Sequence, residues 1–277
     1  MMNGKADLHT HTTHSDGSCS PKEIIRKAKQ AAIDVISITD HDNIKGFKEA
    51  SEAGKDLGVE VIPGVEISSE VSNREIHILG YFFDPDNIEL ERYLSFFREE
   101  RIKRAGRIVN KLMNLGFEIH LDDVLEKAKK SSVGRPHIAQ VMLEKGIISS
   151  YYEAFNKYIG NGSPAYEKKV HLSPQSAFRI INDAGGLSFI AHPGNIPENL
   201  LKELIDSGMD GIEVVHPSHS KLQQKFYKGI VNSYFLLECG GSDYHGGKRE
   251  DESNFGQYYT STSSIEAMRK RLMKHSA

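Results

Sequence analysis

Cysteine is nearly absent from this 277-residue chain: only Cys19 and Cys239 occur, far apart and in no C-x-x-C spacing. That argues against a disulfide framework and a thiolate zinc site. An excess of one charge is missing too. The formal net charge is −3, so bulk electrostatics give no pull toward duplex DNA or an anionic membrane, while a local basic pocket stays compatible. No run approaches about 18 apolar residues, and the start carries no apolar signal segment. A cytoplasmic setting without membrane association is therefore expected. A G-x-S-x-G elbow for a serine nucleophile is lacking, as is a Walker loop.

What is present is an alternation of short apolar runs and amphipathic stretches, the pattern of strand–helix units on a parallel sheet. Hydrophobic residues make up 38 % of the chain, enough for a core, and the length suits one large domain or a domain with an insertion. "KADLHTH" reads as a first strand. "SPKEIIRKAKQAAI" reads as a helix, with Ser20 and Glu23 as a capping box, Pro21 in the first turn, and Ile24, Ile25, Ala28, Ala31 and Ala32 as its apolar stripe. Further strands follow in "VISITDHD", "VEVIPGVEIS" and "EIHILGYFF". From about 88 to 165 the pattern is helical only, which predicts an insertion covering the active site. Alternation resumes with "GLSFIAHPG", "GIEVVHPSH" and "FLLECGGSDYHG". The expectation is a barrel of about seven parallel strands formed by 1–87 and 166–277, with 88–165 as an inserted helical subdomain.

The chain has thirteen histidines, and their placement is informative. Each predicted strand ends in metal-ligand residue types: Asp7, His9 and His11, then His14 and Asp16; Asp40, His41 and Asp42; Glu66; His77; His192; His216 and His219; Asp243 and His245. In a parallel barrel the C-terminal strand ends share one face, where active sites form. His9 and His11, two apart on a strand, point to the same side, as do Asp243 and His245. So many imidazoles and carboxylates on one face would repel or go unsatisfied without a bound cation. A multinuclear metal site is expected.

With "DLHTHTTHSDG", "SITDHDNIKG", "PGVEIS", "IHILGYFFD", "AHPG" and "GSDYHG" in this order over nearly the whole chain, the sequence resembles the polymerase and histidinol phosphatase (PHP) family. "GRPHIAQVML", the following "PAY" and the helical insertion resemble the branch acting on nucleoside monophosphates, 3′,5′-bisphosphorylated nucleotides or the 5′ ends of short RNA. The resemblance implies an α/β fold, a distorted seven-stranded (β/α)7 barrel of PHP type. It implies three divalent ions: one on His9, His11, Glu66 and Asp243; a second on Glu66, His77 and His192; a third on Asp16, His41 and His245. Manganese, iron or zinc all suit such nitrogen and oxygen ligands. Family members carry either histidine or aspartate near position 16. Both His14 and Asp16 stand here; "SDG" favours Asp16, with His14 as a pocket or supporting residue. Asp7 and Asp40 are expected to orient ligating imidazoles, and Asp42 to cap a helix.

Such a cluster supplies a metal-bridging hydroxide as nucleophile, with no covalent enzyme intermediate. Arg135 is the first candidate for gripping and stabilising the phosphoryl group, since a guanidinium offers two parallel hydrogen bonds. His137, Lys168, Asn195, Ser218 and His219 are further substrate-binding candidates, with His219 as proton donor to the leaving oxygen. His216 is expected to support its strand end, and Tyr166 to stack on a base or pack. Glu167 departs from the apolar residue usual in the related proteins, and "GGKREDESNFG" is unusually charged. The implied substrate is a small nucleotide or short oligoribonucleotide, with inorganic phosphate as product. Two alternatives share the scaffold: a histidinol-phosphate phosphatase, and a non-catalytic metal-stabilised module.

Overall fold

The computed structural model describes residues 4–275 apart from Asn73, Lys130, His171 and Lys248. The chain forms two compact units, one from residues 1–92 with 171–277 and one from 93–170. The first is built on strands β1 (Lys5–Asp7), β2 (Val35–Ile38), β3 (Glu60–Val71), β4 (Arg74–Tyr81), β5 (Leu187–Ile190), β6 (Gly211–Val215), β7 (Leu237–Gly240) and β8 (Thr260–Ser261). They make one eight-stranded sheet in the order β7-β6-β5-β4-β3-β2-β1-β8.

The sheet is not wholly parallel. β4 runs antiparallel to both β3 and β5, and β8 antiparallel to β1. The reason for the first reversal lies in the connection. Only two residues separate Val71 from Arg74, whereas a parallel crossover needs a dozen or more. The hairpin pairs Gly64 with Tyr81 through to Val71 with Arg74. In consequence His77 faces Ser68 from mid-strand, and reaches the site from within β4.

β1 serves two neighbours. Its start pairs with β8, Lys5 opposite Ser261 and Ala6 opposite Thr260. Beyond it, Leu8 N donates to Gly240 O at 3.1 Å, Asp243 N to His9 O at 2.9 Å and His11 N to Tyr244 O at 2.9 Å. These bonds join the chain after β1 to the chain after β7, at the end where the histidines collect. Gly241 is required at this seam: a Cβ there would stand 2.4 Å from His9 N and 2.5 Å from His9 Cβ.

Helix α1 (Pro21–Gln30) starts on the expected capping box, with Glu23 Oε2 accepting from Ser20 N at 2.7 Å. It buries Ile24, Ile25 and Ala28. It ends before the rest of the predicted stripe, because Ala32 takes a left-handed φ of 54° that no right-handed helix continues. Helix α2 (Gly46–Leu57) pairs with α1 over a core that includes Ile36, Ile38, Ala50 and Ala53. The barrel interior is filled by Leu8, Ile62, Leu79, Tyr81, Leu187, Phe189 and Cys239.

Helix α3 (Ile88–Asn114) begins in the barrel unit and runs into the helical one. The helical unit continues with α4 (Leu121–Ala128), α5 (Arg135–Glu144), the single turn α6 (Tyr151–Glu153) and a π-helical turn at Ala154–Ile159. It has its own core, with Ile108, Leu112, Ile138, Met142 and Ile159 all buried. Helices α7 (Pro174–Asp183), α8 (Glu198–Asp206), α9 (Lys221–Ser233) and α10 (Thr262–His275) complete the barrel unit. Among the described residues no helix is long and apolar enough to cross a membrane.

Candidate metal centre

The barrel unit draws all nine expected ligands into one cluster. Four sets of side chains can each present ligand atoms within 4.8 Å of one another: His11, Asp16, His41 and His245; His9, His216 and Asp243; His9, Glu66 and His192; and His41, Glu66 and His77. Glu66 is the hub. Its Oε1 lies 2.7 Å from His77 Nδ1 and 3.1 Å from His192 Nε2. Its Oε2 lies 3.4 Å from His9 Nε2, 3.3 Å from His11 Nε2 and 3.1 Å from His41 Nδ1. Asp243 Oδ1 stands 3.3 Å from His9 Nε2 and 3.1 Å from His11 Nε2. His11 thus faces both the Glu66–Asp243 pair and the Asp16 group. His14 joins none of these sets, whereas Asp16 Oδ1 comes within 3.4 Å of His245 Nε2.

Hydrogen-bond partners set the tautomers. His9 Nδ1 faces Glu213 Oε1 at 2.9 Å, and His245 Nδ1 faces the Asp243 carbonyl at 2.7 Å. Both partners only accept, so Nδ1 carries the proton and Nε2 keeps its lone pair. His11 reaches the same state through Ser15: the Ser15 hydroxyl donates to Asp40 Oδ1, leaving its oxygen to accept from His11 Nδ1 at 3.4 Å. The three Nε2 atoms, with Glu66 Oε2 and Asp16 Oδ1, are buried and lack a hydrogen-bond partner among the described residues. Orphaned buried polar atoms are costly, and with the rings neutral, as a metal would need them, they are lone pairs aimed at one another. This donor set fits divalent cations. His192 and Asp243 also hold positive φ values of 26° and 51°, backbone strain of the kind that collects at functional sites.

Glu213 is the residue that pattern reading missed. It is fully buried, and besides His9 it accepts from His192 N at 2.6 Å, tying two expected ligands together. An acid in the middle of the apolar run "GIEVV" was its only signal. His216 does more than support a strand end. Its Nδ1 accepts from Ser218 N at 3.1 Å, so Nε2 carries the proton and donates to Asp243 Oδ2 at 3.3 Å. Of three carboxylates expected in supporting roles, Asp40 orients His11 through Ser15, while Asp7 and Asp42 differ from expectation. Asp7 accepts from the backbone of Ser242 at 3.0 Å and His9 at 3.3 Å, not from an imidazole. Asp40 braces Thr12 and Ser15, and acts on His11 only through Ser15. Asp42 accepts from Ser68 N at 3.2 Å and caps no helix.

The substrate candidates separate into two kinds. His219 is buried, its Nδ1 donating to Val214 O at 3.0 Å and its Nε2 accepting from Gly194 N at 3.3 Å. Burial lowers its pKa. Both nitrogens are committed, so His219 braces its loop and the proton-donor expectation is corrected. His137 is similarly engaged as a helix-start residue, Nδ1 accepting from Gly134 N at 3.1 Å and Nε2 meeting Ser131 Oγ at 3.2 Å. Asn195 and Ser218 are exposed; Asn195 Oδ1 accepts from Gln223 at 3.0 Å, and Ser218 Oγ meets His216 Nδ1 at 2.7 Å.

In the helical unit, Arg135 donates to Asn161 Oδ1 at 3.1 Å, with its guanidinium 5.9 Å from the Phe155 and Tyr166 rings. Tyr166 therefore packs on a cation. Lys168 is exposed. Glu167 answers Arg107 at 3.2 Å and Lys111 at 2.8 Å, which explains an acid at that position.

Without metal, protonation stabilises part of the cluster, His11 and His77, while burial pushes His41 down to about 3. Burial opposes charge on His11 and His77, yet the carboxylates overcome it: Asp243, Glu66 and Asp16 lift His11 to about 10, and Glu66 and Glu75 lift His77 to about 9. Burial likewise opposes ionisation of Glu66, Asp16 and Asp243, and the imidazoles nevertheless hold all three well below the usual range. A folded-state imidazole pKa above its unfolded value stabilises fully below the unfolded pKa. That stabilisation is lost as pH rises through the folded pKa. The chelator-treated protein is therefore expected to lose thermal stability between pH about 7 and about 10. Metal must displace the same protons, so its apparent affinity rises over that window. Melting curves and metal titrations across this range check both; a flat profile would contradict the assignment.

Comparison with known proteins finds a domain pattern and several relatives over most of the chain. The PHP domain pattern matches residues 7–95. A 5′-3′ exoribonuclease of Haemophilus influenzae is 34 % identical over 250 residues, 88 % of this chain and 91 % of the relative. A phosphoribosyl 1,2-cyclic phosphate 1,2-diphosphodiesterase of Eggerthella lenta is 29 % identical over 87 % of this chain and 94 % of its own. A 3′,5′-nucleoside bisphosphate phosphatase of Chromobacterium violaceum is 31 % identical, covering 86 % of each. Among solved structures, a Bifidobacterium adolescentis protein assigned as a metal-dependent phosphoesterase superposes with a TM-score of 0.85 and 29 % identity, over 96 % of both chains.

Proposed function

We propose that this chain, which belongs to the PHP family of metal-dependent phosphoesterases, removes terminal phosphate from small nucleotides or from the 5′ end of short RNA. The observation that carries the reading is the convergence of unpartnered Nε2 and carboxylate atoms around Glu66. Phosphate monoesters resist uncatalysed hydrolysis. Divalent ions held by His9, His11, Asp16, His41, Glu66, His77, His192, Asp243 and His245 would activate water at neutral pH and neutralise phosphoryl oxygens; three ions suit these nine residues. The chain's own contribution is to keep the donors fixed. Glu213, the Asp243 carbonyl and the Asp40–Ser15 pair hold the Nδ1 protons of His9, His245 and His11. His216 steadies Asp243. Arg135 and Lys168 are the cations this reading assigns to a further substrate phosphate, with Asn195 and Ser218 as polar contacts.

The names of the relatives support the nucleotide class, and the Eggerthella relative supports a cyclic phosphodiester as a second class. The test is phosphate release by the manganese-loaded protein. The panel is adenosine 3′,5′-bisphosphate, adenosine 5′-monophosphate, a 5′-phosphorylated RNA trimer, phosphoribosyl 1,2-cyclic phosphate and histidinol phosphate, with His9→Ala and Arg135→Ala alongside. The expected result is preference for the bisphosphate or the RNA, abolished by His9→Ala and weakened by Arg135→Ala. Preference for histidinol phosphate would place the chain in the other branch. No turnover of any substrate with metals bound would favour the structural module.

A further inference from the structure

We propose that Arg249 is a phosphate-binding residue of this centre, supplied by the barrel unit itself and resting on the phosphoesterase reading above. It lies in the charged stretch after His245, and that stretch is pinned. Asp251 accepts from His245 N through one oxygen and from Gly247 N at 2.7 Å through the other. Glu250 N donates to Gly247 O at 3.2 Å, with Gly247 at φ 82° and Glu250 at φ 58°. Glu252 ties the far side to Lys27 on α1 and to the Tyr244 hydroxyl. Two carboxylates, those of Asp251 and Glu252, anchor the turn that follows Arg249.

What this turn delivers is a guanidinium at the edge of the metal-ligand cluster. Arg249 Nη2 donates to Asp16 Oδ2, while Asp16 Oδ1 stands 3.4 Å from His245 Nε2 and 3.8 Å from His11 Nδ1. One carboxylate therefore separates Arg249 from two imidazoles of the centre. The Arg249 side chain is 51 % exposed, and its other N–H groups have no partner among the described residues. An exposed Arg–Asp pair adds little to stability, so the fold alone does not account for the effort spent in holding it. A guanidinium is a planar fork that matches two phosphate oxygens, and binding to a carboxylate through one nitrogen leaves the rest of that fork available. A phosphate monoester dianion, or the inorganic phosphate released from it, is the ligand this geometry suits.

The experiment titrates inorganic phosphate calorimetrically into the manganese-loaded protein, as wild type, Arg249→Ala and Arg249→Lys, with metal content measured on each sample. Arg249→Ala is expected to weaken phosphate binding and raise KM by about 10- to 100-fold, the range for losing a charged hydrogen bond. Metal content should be unchanged, and Arg249→Lys should recover part of the loss. Unchanged phosphate affinity in Arg249→Ala would overturn the assignment. So would loss of metal in that variant, because Arg249 would then serve only to hold Asp16. Failure of the wider reading looks different: the wild type would turn over no phosphoester, yet would still bind phosphate through Arg249.

Discussion

Replacing Glu66 with glutamine is expected to lower phosphate release by about three orders of magnitude or more, at the upper end of what a single preorganised electrostatic group contributes. The size follows from position. One carboxylate sits against five imidazoles, those of His9, His11, His41, His77 and His192, with nitrogen–oxygen distances from 2.7 to 3.4 Å. Glutamine keeps the volume but removes the charge, and its amide group adds a donor where the neighbouring Nε2 atoms need a cation. Metal content should fall together with activity. Elemental analysis beside phosphate release, with circular dichroism to confirm folding, tests this. A folded Glu66→Gln protein that keeps its metals and loses less than tenfold in rate would remove Glu66 from the centre of the mechanism.

Glu213→Gln is expected to weaken metal binding by about 10- to 100-fold, the usual cost of losing an outer partner of a ligating histidine. His9 Nδ1 and His192 N face separate oxygens of Glu213, so the single amide oxygen can accept from one of them while the NH2 group meets the other. What disappears is the negative charge. Burial opposes ionisation of Glu213, yet His9 beside it holds its pKa below the usual range. That buried anion raises the basicity of His9, whose pKa stands well above normal against the opposing effect of burial. Competition with a coloured chelator measures the affinity directly. Glu213→Ala serves as the harsher variant, and wild-type affinity in Glu213→Gln would mean that its role is only to hold the backbone.

The residues that gather in the candidate centre were legible because each motif of metal-ligand residue types is local. "DLHTH" and "GSDYH" each set two donors just past a strand end, His9 and His11 after β1 and Asp243 and His245 after β7, and strand ends in a barrel converge. The reversal of β4 was not read from the sequence, because the strand–helix rhythm pointed to parallel strands and the two-residue gap after Val71 shows only once β3 and β4 have their full lengths. Other assignments needed partners distant in sequence. His219 and His137 carry the same imidazole as the ligands, but Val214, Gly194, Gly134 and Ser131 occupy their nitrogens. Glu213 reads as one acid in a buried strand until His9, 204 residues away, is set beside it.

The sequence by itself determined the strand–helix alternation, the all-helical segment and the identity of the donors, since these follow from spacing along the chain. Only the tertiary structure decided which imidazoles present a bare lone pair to the centre. That depends on which acceptor takes the other ring proton, and for His9 and His11 that acceptor lies on, or is set by, a different strand end. For His245 it is the Asp243 carbonyl, held in place by a backbone bend at φ 51°. A tautomer is fixed by contact, and contact is what folding supplies.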